Sequence, residues 1–520
     1  MSAPANSAVL GPDTLDLLPA SVARPAYDRS AMTVGIVHVG VGSFHRAHMA
    51  MALDSLMNEG LAADWAICGV GLMPHDANVK AVLQAQDCLY TLTLKHADGR
   101  RDSRVIGSIA EYLFAPDDPE EVLRRMADPA VRIVSLTITE GGYNVNGVSG
   151  EFDAQNPGIQ ADLLEGATPS TVFGFVIQAL RRRRDNGIPP FTVLSCDNIQ
   201  GNGDVARRMF TAFADLMDPG LGGWIRETVH FPNSMVDRIT PVTQESDIAE
   251  ARAATGLSEG WPVVSEPYFQ WVIQDDFGLG RPPFDRVGAQ FVPDVEPYER
   301  MKLRLLNASH QGMCYFGYLM GYRFAHEAVG DPLIVALLRR YMVREATPTL
   351  LPVPGIDVDE YIDSLIHRFS NSEVRDTLAR LCAESSDRIP KWLLPVVHEQ
   401  LRTGGEIECS AAIVASWARY AEAVDEQGHP IVVVDALREE LVGLAQSQRQ
   451  DPLSFIRNRT LFGDLSEHER FTDAYLRSLA DLHSVGARRS LLRLLSDEVD
   501  FTDEFDSPID HDISLAHGAQ

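Results

Sequence analysis

Apolar and polar residues are arranged in two different ways along this chain, and the change falls near residue 296. Before it, β-rich runs at residues 34–39, 65–72, 132–139 and 191–196 alternate with helix-like stretches, one of them at 171–184. Strands separated by helical segments predict a mostly parallel α/β sheet. After residue 296, apolar residues recur at helical spacing in 301–322, 332–344, 362–369, 410–424 and 487–495. That pattern predicts a second domain that is mainly α-helical. The expected division is therefore 1–295 and 296–520, with no internal repeat. The stretch from Asp497 onward is acidic and without periodicity, so a solvated end is expected there.

At 520 residues the chain exceeds the length at which single cores stop growing, in keeping with two domains. Hydrophobic residues make up 45% and charged residues 23%, and no run of eighteen apolar residues occurs, so a globular protein without a membrane span is expected. The first twenty residues lack a basic segment followed by an apolar one, which argues against secretion. The six cysteines, at 68, 88, 196, 314, 382 and 409, show no metal-like CxxC spacing, and reduced thiols in a cytoplasmic protein fit them best. A formal charge of −28 argues against nucleic-acid partners. The one basic run, Arg181 to Arg184, lies near the end of the helix predicted at 171–184, where cations are favoured.

The stretch GIVHVGVGSFHRAH, residues 35–48, carries the first candidate chemistry. A strand feeds Gly40-x-Gly42 and a helix follows, an arrangement that lets the backbone approach a pyrophosphate. His45 holds the place of the third glycine of a dinucleotide fingerprint, whose role is close helix–strand packing. Asp76 follows the second predicted strand and could receive the adenosine ribose, though it lies further along than the usual spacing of about 20 residues. These features alone leave dinucleotide binding and an ordinary strand–turn–helix both open.

The second stretch is MKLRLLNASHQGMCYFGYLMG, residues 301–321, where Lys302, Asn307 and His310 share an arc of about 140° on a helix otherwise apolar nearly all round. Polar groups so placed belong either to a satisfied internal network or to a cleft. A third, SCDNIQGNG, puts Asp197 and Asn198 just beyond a strand, where open α/β sheets bind ligands and where turn formers also occur. Asp237, in SMVDRITP, is equally ambiguous by itself.

Taken together, these stretches resemble the long-chain polyol dehydrogenases of the mannitol dehydrogenase family. The matching segments are GVGSFHRAH, WAICGVGL, VSLTITEGGY, SCDN, FPNSMVDRITP, PYERMK, LLNASH, HRFSN and, more weakly, LCAESSDRIPKW, in order from about residue 35 to residue 392. The most specific are TITEGGY and the Lys-x4-Asn-x2-His spacing. The GxGxFxRxH loop is this family's own form, so the missing third glycine is expected.

The resemblance implies an N-terminal Rossmann-type domain that binds NAD through Gly40, Gly42, Phe44, Arg46 and Asp76, and a mainly helical C-terminal domain. It implies an active site in a cleft between them and hydride transfer between NAD and a polyol or ketose without a metal. D-mannitol and D-fructose are the expected pair. Carried onto matching positions, Lys302 would be the general acid/base and Asn198 with Asn307 the oxyanion-stabilising pair. His310, Asp237 and Arg380 would orient substrate hydroxyls, and Glu299 would sit on the proton path. The oligomeric state is left open, a monomer included.

Some residues depart from the family pattern. His75 stands in MPHD where an acid is expected, and Arg388 stands where a lysine is usual. A D-arabinitol dehydrogenase or a hexuronate oxidoreductase of the fructuronate reductase type is the alternative, Arg388 being the basic contact a substrate carboxylate would need. A non-catalytic NAD-binding regulator on the same fold is the competing class. Retention of Lys302, Asn307 and His310 together speaks against it.

Overall fold

Five parallel strands form the sheet on which the first part of the chain is built. In chain order the strands are β1 (Val34–Val39), β2 (Ala66–Gly71), β3 (Tyr90–Lys95), β4 (Arg101–Ile106), β5 (Ile109–Phe114), β6 (Ile133–Leu136) and β7 (Thr192–Ser195). They continue with β8 (Ser234–Asp237), β9 (Val263–Ser265), β10 (Gln270–Gln274) and β11 (Gln290–Val292). The parallel sheet has the order β5-β2-β1-β6-β7, with Val37 of β1 beside Cys68 of β2 and Val134 of β6. The other strands form two smaller sheets, β11-β10-β8 and β4-β3-β9, with β3 and β4 inserted in the chain between β2 and β5. The computed structural model describes residues 8–146 and 150–496, so the acidic end from Asp497 lies outside the described residues.

Strands buried on both faces read as nearly continuous apolar runs, and these do. On one face Val37, Val39, Val134 and Val193 meet Phe173 and Ile177 of the helix Val172–Asp185 and Phe210 of the helix Asn202–Met217. On the other, Ile36, Ile67 and Leu194 meet Leu53 and Leu56 of the helix Met49–Asn58 and Leu83 of the helix Ala77–Ala85. The chain leaves β1 for β2 on one side and later returns to β6 on the other. The strand order therefore reverses beside β1, which is where ligands bind in open α/β sheets.

The chain divides into two compact units, Met1–Lys302 with Leu350–Asp376, and Leu303–Thr349 with Thr377–Gln520. In the second, the helix Glu408–Ala421 is buried along nearly its whole length between the helices Ala308–Leu319 and Glu469–Leu494. A side chain at Gly312 would come within 3.0 Å of Ile413, which explains the glycine at that crossing. No helix of the described residues is long and apolar enough to cross a membrane.

The helix expected over 301–322 is not a single α-helix. An α-helical segment Glu296–Lys302 passes through a π-helical turn Leu303–Asn307 into Ala308–Leu319. Uniform 100° steps therefore do not describe it. In a π turn the backbone bonds reach five residues instead of four, so Lys302 and Asn307 come close to one face, and His310 follows three α-helical residues later.

Candidate active site

Beyond the carboxyl ends of β1, β2 and β6 lies a cavity of about 590 Å³, lined by Gly40, Leu72, Asp76, Thr137, Thr139 and Gly141 among others. Gly40 has φ +92, and a Cβ there would stand 2.1 Å from the carbonyl oxygen of Thr137, so only glycine allows the β1 and β6 loops to approach. A Cβ at Gly42, by contrast, would meet nothing nearer than 4.0 Å, which leaves the backbone open to a ligand. Asp76 lies at the far wall, with its Oδ2 accepting from the backbone N–H of Met73 at 2.9 Å. The exposed imidazole of His75 is 3.6 Å from its Oδ1. A glycine turn that no side chain could replace, a strand-end acid and a switch-point cavity together fit a dinucleotide.

Other residues expected at the cofactor are used differently. His45 stacks on His38 of β1 with ring centroids 3.4 Å apart, so an aromatic contact fills the helix–strand gap that a third glycine would have closed. Phe44 stacks on His48. Arg46 is buried, donates to the carbonyl of Trp261 at 2.6 Å and lies against the rings of Tyr90 and Trp261, outside the cavity wall.

Past the end of β7 a buried lysine meets an amide. Lys302 is buried and its ammonium donates to Oδ1 of Asn198 at 2.5 Å, just past β7. Burial, together with the Arg368 guanidinium, holds the Lys302 amine below the usual lysine range, against the pull of Asp237, Glu299 and Glu140. Glu299, one helical turn before Lys302, accepts from the N–H of Gly201 with both oxygens at 3.2 and 3.1 Å. Burial pushes its carboxyl up to about 7.

Asp237, the last residue of β8, receives two parallel bonds from Arg368, at 2.7 and 2.9 Å. The same guanidinium donates to Glu266 at 3.0 and 2.7 Å and lies 3.8 Å over the ring of Tyr268. The two buried carboxylates keep Arg368 charged, while burial raises the Glu266 carboxyl. Arg368, within HRFSN, was not among the residues expected at the site. The available signal was an arginine on the last turn of an amphipathic helix, which by itself reads as a favourable charge at a helix end.

The remaining expected residues lie in the second unit. Asn307 ends the π turn, and its Oδ1 is buried with no partner among the described residues. His310 is buried on the following helix. Arg380 is exposed on the short helix Leu378–Cys382. Arg388 donates to the backbone carbonyls of Arg380 and Leu381 at 3.2 and 3.1 Å. Among the described residues, no group of three His, Cys, Asp or Glu side chains is placed to hold a metal ion.

The chain is similar to known proteins over most of its length. The family models described as mannitol dehydrogenase Rossmann domain and mannitol dehydrogenase C-terminal domain match residues 34–286 and 294–483. A mannitol 2-dehydrogenase of Pyricularia oryzae is 44% identical over 483 residues, 92% of this chain and 96% of that protein. Among solved structures, the Pseudomonas fluorescens mannitol 2-dehydrogenase ternary complex with NAD and D-mannitol is 43% identical with a TM-score of 0.86, covering 94% of this chain and 99% of that one. A D-sorbitol dehydrogenase in substrate-free form is 38% identical with the same TM-score, covering 93% and 100%.

Proposed function

The chain belongs to the mannitol dehydrogenase family, and from that premise we propose that it interconverts D-mannitol and D-fructose with NAD, using Lys302 as general acid/base. The observation that carries the reading is the buried Lys302 amine, held below its usual range and hydrogen-bonded to Asn198. Oxidising a secondary alcohol requires a base for the hydroxyl proton as hydride leaves the carbon. A lysine serves near neutral pH when burial or a neighbouring cation disfavours its charged form, and here both act.

Asn198 accepts from Lys302 through Oδ1, which leaves its Nδ2 hydrogens for the alkoxide-like oxygen that develops as the proton departs. Asn307, five residues on through the π turn, is the second amide for that oxygen. Asp237, His310, Arg380 and Arg388 are assigned to the other substrate hydroxyls. Glu299 populates both protonation states near neutrality, which suits a group that passes the Lys302 proton toward solvent. Bound NAD supplies the hydride acceptor. Gly40 and the open backbone at Gly42 would hold its pyrophosphate, and Asp76 its adenosine ribose. A cytoplasmic enzyme is the reading that the cysteine spacing supports.

Assaying D-mannitol, D-sorbitol, D-arabinitol and hexuronates with NAD and NADP, by absorbance of the reduced nicotinamide, tests the proposal. The highest kcat/KM is expected for D-mannitol with NAD. A hexuronate preferred over every polyol would contradict it.

A further inference from the structure

Asp197 takes no part in the proton transfer described above, yet three donors converge on its buried carboxylate. Oδ1 accepts from the N–H of Thr139 at 2.8 Å, and Oδ2 from the N–H of Ile138 at 3.1 Å and the hydroxyl of Tyr143 at 2.7 Å. Its carbonyl accepts from Asn202 at 3.0 Å. These bonds anchor the loop after β6, whose residues Thr139, Gly141 and Gly142 form part of the cavity wall.

That loop would not keep its shape unaided. Thr139 has φ 62 and ψ 171, a region that a β-branched residue adopts only when its surroundings impose it. The imposing group is Asp197, one residue before the Asn198 that receives Lys302. One carboxylate thus ties the cofactor wall to the partner of the proposed base.

We propose that Asp197 is a positioning residue: its ionised carboxylate holds the 137–143 wall in the form that takes NAD, and a neutral Asp197 releases it. The inference rests on the NAD reading given above. An ionised carboxylate accepts with both oxygens, whereas a protonated one donates from one of them; the Tyr143 hydroxyl can receive that proton and turn its own toward Ser195, but the N–H groups of Ile138 and Thr139 can only donate, and a protonated oxygen holds them more weakly. Burial lifts Asp197 to about 6 in spite of those donors, with Glu140 adding to the rise. The other groups facing it are Tyr143 and Cys196, both raised by burial, and the neutral Asn202. NAD affinity should therefore be level near neutrality and fall as pH drops through about 6.

The test is NAD binding, followed by tryptophan fluorescence across this pH range, in the unaltered chain and in Asp197→Asn, Tyr143→Phe and Glu299→Gln. Asp197→Asn, which turns an amide NH2 toward a backbone donor, should bind about tenfold more weakly at neutral pH and lose the acid-side dependence. Tyr143→Phe should weaken binding about fivefold and keep that dependence. Glu299→Gln should keep it too, which separates Asp197 from the other nearby carboxyl. A folded Asp197→Asn with unaltered affinity, or with the acid-side fall intact, overturns the proposal. Should Asp197→Asn fail to fold, unchanged affinity in Tyr143→Phe overturns it. Absence of NAD binding by the unaltered chain at neutral pH would instead overturn the cofactor reading, and this inference with it.

Discussion

Lys302 and Asn198 stand 104 residues apart in the chain and meet at 2.5 Å, the ammonium donating to the amide oxygen. The bond joins the last residue of the helix Glu296–Lys302 to the turn beyond β7, and it decides which way the amide points. Asn198→Ala should lower turnover by about a hundredfold or more with NAD affinity nearly unchanged. Asn198→Asp would set a negative charge against the amine, stabilise its ammonium form and move the rise of polyol oxidation to higher pH. Steady-state kinetics against pH checks both.

Asp76 on the cavity wall should give a clear preference for NAD over NADP, because a carboxylate accepts from ribose hydroxyls and repels a 2′-phosphate. Asp76→Ala should narrow the ratio of the two kcat/KM values. Equal efficiencies in the unaltered chain would contradict the assignment.

Glu299 offers a test whose sign is fixed. Its negative charge favours the Lys302 ammonium, so Glu299→Gln should lower the lysine pKa further and shift the onset of oxidation to lower pH. Maximal turnover should fall as well, since a carboxyl that burial pushes up to about 7 would be lost from the proposed proton path. A profile that moves to higher pH would contradict the charge argument.

Arg368 holds two buried carboxylates with one planar fork, a geometry that a lysine cannot reproduce. Arg368→Lys should raise KM for the polyol about tenfold through Asp237, with a smaller effect on kcat. Arg368→Met leaves two carboxylates facing each other in the interior and should cost about 3–5 kcal/mol of stability, measured by denaturant unfolding.

Much of this site was legible in the sequence because its signals are local. β1, β2, β6 and β7 are nearly continuous apolar runs; the structure has β1, β2 and β7 within a residue of the expected limits, while β6 ends three residues earlier than expected, at Leu136. β5 was not expected, because IAEYLF carries a glutamate that pairs across the surface with Arg125, and a charge inside a short run hides a strand at the sheet edge. The π turn at Leu303–Asn307 changes the hydrogen-bonding pattern without changing composition, so periodicity passes over it. Arg368 was missed because its partners, Asp237 and Glu266, lie more than a hundred residues away and only the fold joins them. The segment Leu350–Asp376 belongs to the first unit although its helix Val358–Phe369 is amphipathic like those of the second, and amphipathicity does not say which core a helix covers.

The most direct test of the account is the pH dependence of kcat/KM for D-mannitol oxidation and D-fructose reduction, in the unaltered chain and in Lys302→Ala. One direction needs the neutral amine and the other the ammonium, so oxidation should rise with pH and reduction fall over the same interval, centred below the usual lysine range. Lys302→Ala should lose most activity in both directions and both pH limbs while still binding NAD, and added small primary amines should restore part of the rate. Near-normal turnover in Lys302→Ala with an unchanged pH profile would contradict the account and move the role of base to Glu299 or His310.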